Sequence, residues 1–187
     1  SSSSPDPDLC SKIRASVVLA APLLVKFGKT VVTPPGGDQI GDRFLDTHFS
    51  MMQKVGVEME RKDGQFFLSW KKKVGGNIFL EECSVTATEM ALMMGTAIKE
   101  GVTLENAATE PHVTDLGNML NKMGAKIKGL GTGTISTSGG NLKGVEYKVM
   151  PDHIEGGTFI IASAINGGHI KITDFIPEHH KMALINL

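Results

Sequence analysis

The segment Pro34-Pro35-Gly36-Gly37-Asp38-Gln39-Ile40-Gly41-Asp42-Arg43 sets the carboxylate of Asp38 and the guanidinium of Arg43 among three glycines and two prolines. Such a stretch cannot be regular structure, and loops of this make-up often act as lids over a site. A carboxylate that passes a proton and a cation that holds an anion would be its chemistry. A plain surface turn with Asp42 as a cap is the alternative. A second candidate is the helix start Cys83-Ser84-Val85-Thr86-Ala87-Thr88-Glu89, where Thr86 and Glu89 have capping-box spacing. A hydroxyl-rich helix N-terminus offers free amides to an anion. Asp152 and Glu155 repeat the cap spacing later in the chain. A carboxylate cap repels phosphate, so only the Ser84 helix is expected to accept a diphosphate. Both could also be simple caps.

Arg14 sits early on its expected helix, where a cation opposes the macrodipole. It needs an anion or a carboxylate partner, and a surface salt bridge would satisfy it. Asp46 and His48, two apart at a helix start, could orient a ligand or cap the helix. His179-His180 invites a metal reading, but adjacent side chains on a helix diverge by about 100°, so no metal is expected. His112, His153 and His169 read as structural or exposed.

The elements that must position these groups follow from periodicity. Ile13, Val17, Ala20, Ala21 and Leu24 recur at helical spacing, which predicts a helix over 8–27 ended by Gly28. A strand over 30–33, a helix over 42–55 and strands over 57–60 and 65–70 follow. The last two form a hairpin around Lys62-Asp63-Gly64. A strand over 77–80 precedes a helix from Ser84 to Gly101. Next come a strand over 103–106, a helix over 112–123, a hairpin over 125–138 and a strand over 147–150. A helix over 152–166, a strand over 169–173 and a last helix from Pro177, cut off at Leu187, complete the reading.

This order repeats. Met51-Met52-Gln53-Lys54-Val55-Gly56-Val57 matches Met119-Leu120-Asn121-Lys122-Met123-Gly124-Ala125 at an offset of 68 positions. The same offset carries Ser16 onto Ser84 and Ser84 onto Asp152. Each repeat is helix, strand, helix, hairpin, strand; the first lacks its opening strand and the last ends early. Repeats that each expose one apolar face pack around a shared core, here a helical one. The fold class is therefore mixed α/β built of repeated units.

Composition removes several functions. A net charge of -1, with Lys71-Lys72-Lys73 as the one basic cluster, argues against a nucleic-acid surface; that cluster reads as a solvated turn. The apolar run over 17–25 is too short to span a bilayer, which needs roughly 20 residues. Lys12 and Arg14 before that run mimic a signal peptide, but Lys26 and Phe27 stand where a small-residue cleavage site belongs. Two cysteines, Cys10 and Cys83, form neither a disulfide framework nor a CxxC metal spacing, and fit a reducing, cytoplasmic setting. No cofactor and no membrane partner are expected. Ser1 to Ser4, Pro5 and Pro7 read as a disordered tail, and the missing initiator methionine suggests a start inside a longer protein.

Five motifs in register now point one way. Arg14-Ala15-Ser16, the Pro35 to Arg43 loop with Asp46 and His48, Ser84-Val85-Thr86-Ala87-Thr88, Asn106-Ala107-Ala108-Thr109-Glu110-Pro111, and Pro151-Asp152-His153-Ile154-Glu155-Gly156-Gly157-Thr158-Phe159 stand in this order. From about Ser11 to its end the chain resembles the UDP-N-acetylglucosamine 1-carboxyvinyltransferases, a family of enolpyruvyl transferases. The resemblance implies two domains, each of three repeats in an inside-out α/β barrel. This chain would supply residues 11–175 as most of the first domain, 1–10 as tail or linker, and 176–187 as the start of the crossover to a missing second domain.

The resemblance also implies a reaction. An acid protonates the methylene of phosphoenolpyruvate, the sugar 3-hydroxyl of UDP-N-acetylglucosamine attacks the cationic carbon, and phosphate leaves. Asp38 falls at the loop acid, a cysteine in most relatives. Arg43 would hold the phosphoenolpyruvate charge and Arg14 is an anion contact. Phe44, Leu45, Asp46 and Thr47 lie where the family clasps uridine, with His48 counted beside them as substrate-binding, and Glu82, Cys83, Ser84 and Val85 lie where it holds the diphosphate. Phe44 replaces a usual proline, Thr86 a usual glycine and Glu82 a residue that is basic in well-known members. The family's Lys-Asn pair and its second-domain aspartate base have no counterpart here. The alternatives are a 3-phosphoshikimate enolpyruvyl transferase or a non-catalytic nucleotide-sugar-binding fragment.

Overall fold

A computed structural model describes residues 3–37 and 44–181. The chain divides into two compact units, Ser1–Val145 and Glu146–Leu187.

In the larger unit, α1 (Pro7–Cys10) and a 3-10 helix (Arg14–Leu19) lead into α2 (Ala20–Phe27) and β1 (Lys29–Val32). Helix α3 (Asp46–Lys54) is followed by the hairpin of β2 (Glu58–Lys62) and β3 (Gln65–Ser69). Strand β4 (Gly76–Phe79) then opens a second series: α4 (Val85–Gly95), β5 (Val102–Glu105), α5 (Pro111–Met123), β6 (Lys126–Lys128) and β7 (Thr134–Ser138). One sheet has the order β1-β3-β2 and the other β4-β5-β7-β6. β4 runs parallel to β5, and every other pairing is antiparallel.

The two sheets are copies. β1, β3 and β2 correspond to β5, β7 and β6, and the first sheet has no counterpart of β4 among the described residues. The 68-residue offset is visible in the backbone: Gly56 and Gly124 end α3 and α5 with φ of 95° and 110°, a left-handed turn glycine enters without strain. Asp63 and Gly64, both with positive φ, close the first hairpin in two residues, as the strand twist requires.

Helix α4 is the centre of this unit. Ala87, Thr88, Met90, Ala91, Leu92, Met94 and Gly95 are all buried, covering every face. It packs on α2, α3 and α5. Ala20 and Ala21 on α2, and Ala87 and Ala91 on α4, are small buried residues that suit close approach of the two helices. A Cβ at Gly95 would run into the Thr137 side chain of β7.

The structure departs from the sequence reading in several places. The helix expected over 8–27 is broken. Ile13 is extended, and the Ser16 hydroxyl donates to Cys10 O (3.0 Å) and Ile13 O (2.7 Å), holding carbonyls in a non-α geometry. Within the stretch read as tail, Asp6 accepts from the N–H groups of Asp8 and Leu9 and Pro7 occupies the first helical turn, so Pro7–Cys10 is helical and Cys10 is buried. The Ser84 helix ends at Gly95 rather than Gly101. Thr96 donates to Met93 O and the chain shifts to three-residue turns through Ile98, while Gly101 packs against the Thr137 carbonyl.

The smaller unit holds α6 (His153–Asn166) and a 3-10 turn (Pro177–His180). Asp152 caps α6 by accepting from Ile154 and Glu155 N–H groups, and Gly167 ends it in the left-handed region. Residues 147–150 and 169–173, expected as strands, form no ladder. A strand persists only beside a partner, and this unit has no β-hairpin among its described residues like those that hold β1 and β5. Ile154, Phe159, Ile161 and Ile165 of α6 are exposed. The helix expected from Pro177 begins as the 3-10 turn, in which His180 is buried and stacked on Phe175 (4.7 Å); residues 182–187 lie outside the described residues.

Candidate functional site

Helix α4 presents its N-terminus beside the start of α3. Ser84, not Thr86, is the cap: its Oγ accepts from Ala87 N–H at 3.3 Å while its carbonyl accepts from Thr88 N–H and the Thr88 hydroxyl. The Thr88 hydroxyl oxygen in turn accepts from Ala108 N–H at 3.0 Å, across to the segment after β5. Asn106, at φ 59°, donates from Nδ2 to Leu80 O at 2.9 Å, and Cys83 Sγ lies 3.7 Å from Ala107 O. The Asn106-Ala107-Ala108 motif thus holds both the end of β4 and the first turn of α4. The amides of Val85 and Thr86 head a helix with no intrahelical acceptor before them, so the positive end of α4 follows directly on the exposed Glu82 and Cys83.

The first turn of α3 carries Asp46, exposed, and Thr47 and His48, both buried; Leu45 precedes it and packs on the core. His48 reaches α4 directly, with Nε2 2.7 Å from Thr86 Oγ1. Only 4 % of His48 is exposed, and its Nδ1 is buried without a hydrogen-bond partner. Burial, then the Arg14 guanidinium, push its pKa below the ordinary 6.5, with Glu82 pulling the other way. His48 is therefore neutral at neutral pH. Further along α3, Ser50 and Lys54 hold Glu81 (3.3 and 3.7 Å) and Lys54 donates to Phe79 O, tying α3 to the β4–α4 connection.

Arg14, half-buried at the start of its 3-10 helix, donates from Nη2 to Phe44 O at 3.4 Å. Phe44 itself is 72 % exposed. Before the loop, Gly36 and Gly37 lie on residues 11–14: a Cβ on Gly36 would strike the Ser11 carbonyl, and Gly37 at φ 98° rests against Arg14. Glycine is required at both points. Asp38 and Arg43 lie outside the described residues. Arg14, Phe44 to His48 and Glu82 to Val85, far apart in sequence, are thus brought to one end of α3 and α4. Sequence reading missed the His48–Thr86 bond, because residues 38 positions apart leave no local signal.

A neighbouring polar cluster lies where α4 meets α5. Glu89 faces His112 Nε2 at 3.9 Å. Burial raises the Glu89 pKa above 4.5; His112 opposes the rise and Glu110 adds to it. Among the described residues no group of three or more His, Cys, Asp or Glu side chains could hold a metal. Among them no helix is long and apolar enough to cross a membrane.

Repeated helix-sheet units around a buried helix define a class of fold, and solved structures share it. The enolpyruvyl transferase NikO from Streptomyces tendae superposes with a TM-score of 0.72 at 24% identity, over 87% of this chain and 39% of that one. EPSP synthase from Acinetobacter baumannii gives 0.59 at 22%, over 81% and 34%. The fold is that of enolpyruvyl transferases. The chain belongs to the EPSP synthase (3-phosphoshikimate 1-carboxyvinyltransferase) family, whose model matches residues 1–187. It is 48% identical over 173 residues to the UDP-N-acetylglucosamine 1-carboxyvinyltransferase of Treponema denticola, covering 91% of this chain and 40% of the relative. It is 46% identical over 176 residues to that of Bradyrhizobium diazoefficiens, covering 93% and 40%. The chain spans about two fifths of the length of these relatives.

Proposed function

We propose that this chain supplies most of the first domain of a UDP-N-acetylglucosamine 1-carboxyvinyltransferase. Residues 11–175 would be most of that domain, with 1–10 leading in and 176–187 crossing toward a second domain. The observation that carries the reading is the meeting of Arg14, the first turn of α3 and the hydroxyl-capped N-terminus of α4 at one place. The relatives' names favour the UDP-sugar over 3-phosphoshikimate: the UDP-sugar enzymes match at 48% and 46% identity, the EPSP synthase structure at 22%.

The roles are those the family resemblance implies. The α4 amides and Ser84 receive the diphosphate. Asp46 and Thr47, with Phe44 and Leu45, hold the uridine end, and His48 stands behind them against α4. Arg14 and Arg43 bind the negative charge of phosphoenolpyruvate. Asp38 protonates its methylene; an ordinary aspartate, with pKa about 3.9, is ionised at neutral pH, so Asp38 must be desolvated or face substrate anions to carry that proton. The sugar 3-hydroxyl then adds and phosphate leaves. The product feeds peptidoglycan and cell-wall synthesis, and so cell shape, growth and division, in the cytoplasm.

Calorimetry tests the reading. The 187-residue chain should bind UDP-N-acetylglucosamine and ignore shikimate 3-phosphate. Preference for shikimate 3-phosphate, or binding of neither, would overturn it.

A further inference from the structure

Thr86 lies in the first turn of α4, too early for its hydroxyl to turn back to a carbonyl of a preceding helical turn, as Thr88 does to Ser84 O. The Thr86 hydroxyl instead meets His48 Nε2 of α3 at 2.7 Å. His48 is almost wholly buried, its ring is aimed into that first turn, and its other nitrogen has no partner. Two neutral tautomers are open to it. With the proton on Nδ1, a buried N–H is orphaned, the rarer and costlier defect in folded proteins. With the proton on Nε2, the ring donates to Thr86 Oγ1 and Nδ1 keeps only a bare lone pair. The second is favoured, and it fixes the direction of the bond. Thr86 Oγ1 then accepts from His48, and its own hydrogen is left to donate elsewhere.

We infer that His48 is a positioning residue that sets Thr86 as a hydroxyl donor to the diphosphate at the α4 N-terminus, making Thr86 a specificity-determining residue of that site. This rests on the proposed binding of a nucleoside diphosphate there. Serine or threonine at this place adds a donor from the side chain where a glycine could offer only its amide. The histidine must stay neutral for the arrangement to hold, and burial and Arg14 both favour that, against Glu82.

The test uses the chain with UDP and with uridine, by calorimetry, alongside the His48 ring tautomer from long-range nitrogen–proton spectra. His48 should carry its proton on Nε2. Thr86→Val, which keeps the shape, and His48→Ala should each weaken UDP about tenfold, and the double variant no further. Thr86→Ser should retain affinity. Uridine, lacking phosphates, should bind Thr86→Val as it binds the parent, which a general loss of structure would not allow. The inference is overturned if His48 is protonated on Nδ1, if Thr86→Val binds UDP as the parent does, or if the two effects add. In those cases the nucleotide reading stands. If the parent chain binds no UDP, both fall together.

Discussion

His48 concentrates the residue-scale physics of this chain. A buried imidazole with one nitrogen bonded and one bare has little room for a second proton, and its pKa is held below 6.5. The sign of the consequence is fixed by linkage: the unfolded chain takes the proton first, so the stability His48 contributes is whole above about pH 6.5 and is lost as pH falls through its lower folded value. Thermal unfolding between pH 7.5 and 5 should therefore fall more steeply for the parent than for His48→Gln; equal slopes would contradict this. Asp38 gives a chemical prediction. A carboxylate is a far poorer nucleophile toward an epoxide than a thiolate, so mass spectrometry after exposure to a thiol-directed epoxide should show no adduct on Asp38. Rapid modification there would refute its expected inertness. The motif residues Arg14, Ser84 and His48 could be picked out from type and spacing alone. Their mutual distances could not, because they depend on how α3 and α4 pack.

At the scale of elements, the two ends of α4 matter most. Ser84→Ala removes the cap to Ala87 and should cost about 1 kcal/mol of stability, with Ser84→Gly costing only a few tenths; denaturant titration reads both. Glu89, lower on the same helix, has its pKa raised by burial ahead of the Glu110 charge, with His112 opposing. Its ionised form at neutral pH is a burden that lifts as pH falls toward 4.5. Glu89→Gln should therefore raise the melting temperature at pH 7.5, and the gain should vanish near pH 4. A gain that persisted at pH 4 would assign the effect to something other than ionisation. Helices α3 and α5, the hairpins and the glycine stops at Gly56 and Gly124 were legible from period and punctuation. The broken helix over 8–27 was not, because its apolar spacing fits an α-helix and only the Ser16 hydroxyl bonds reveal why the backbone leaves it. Residues 147–150 and 169–173 have strand composition, but composition cannot supply a neighbouring strand.

For the whole molecule, the 68-residue repeat was the most informative feature of the sequence, since the helix, strand, helix and hairpin it predicted recur in the two sheets, though the strands it placed in the third repeat do not form. The chain spans about two fifths of its relatives, and the proposed chemistry draws on a second domain for its base. The 187 residues alone should bind the UDP-sugar yet release no phosphate from phosphoenolpyruvate; measurable turnover would show that one domain suffices. The central claim, that the α4 N-terminus is the diphosphate site, is tested most directly by amide chemical shifts during titration with UDP-N-acetylglucosamine. The largest changes should fall on Val85, Thr86 and Ala87, with Ile154 and Glu155 at the carboxylate-capped start of α6 unmoved. Changes centred on α6, or none at α4, would contradict it.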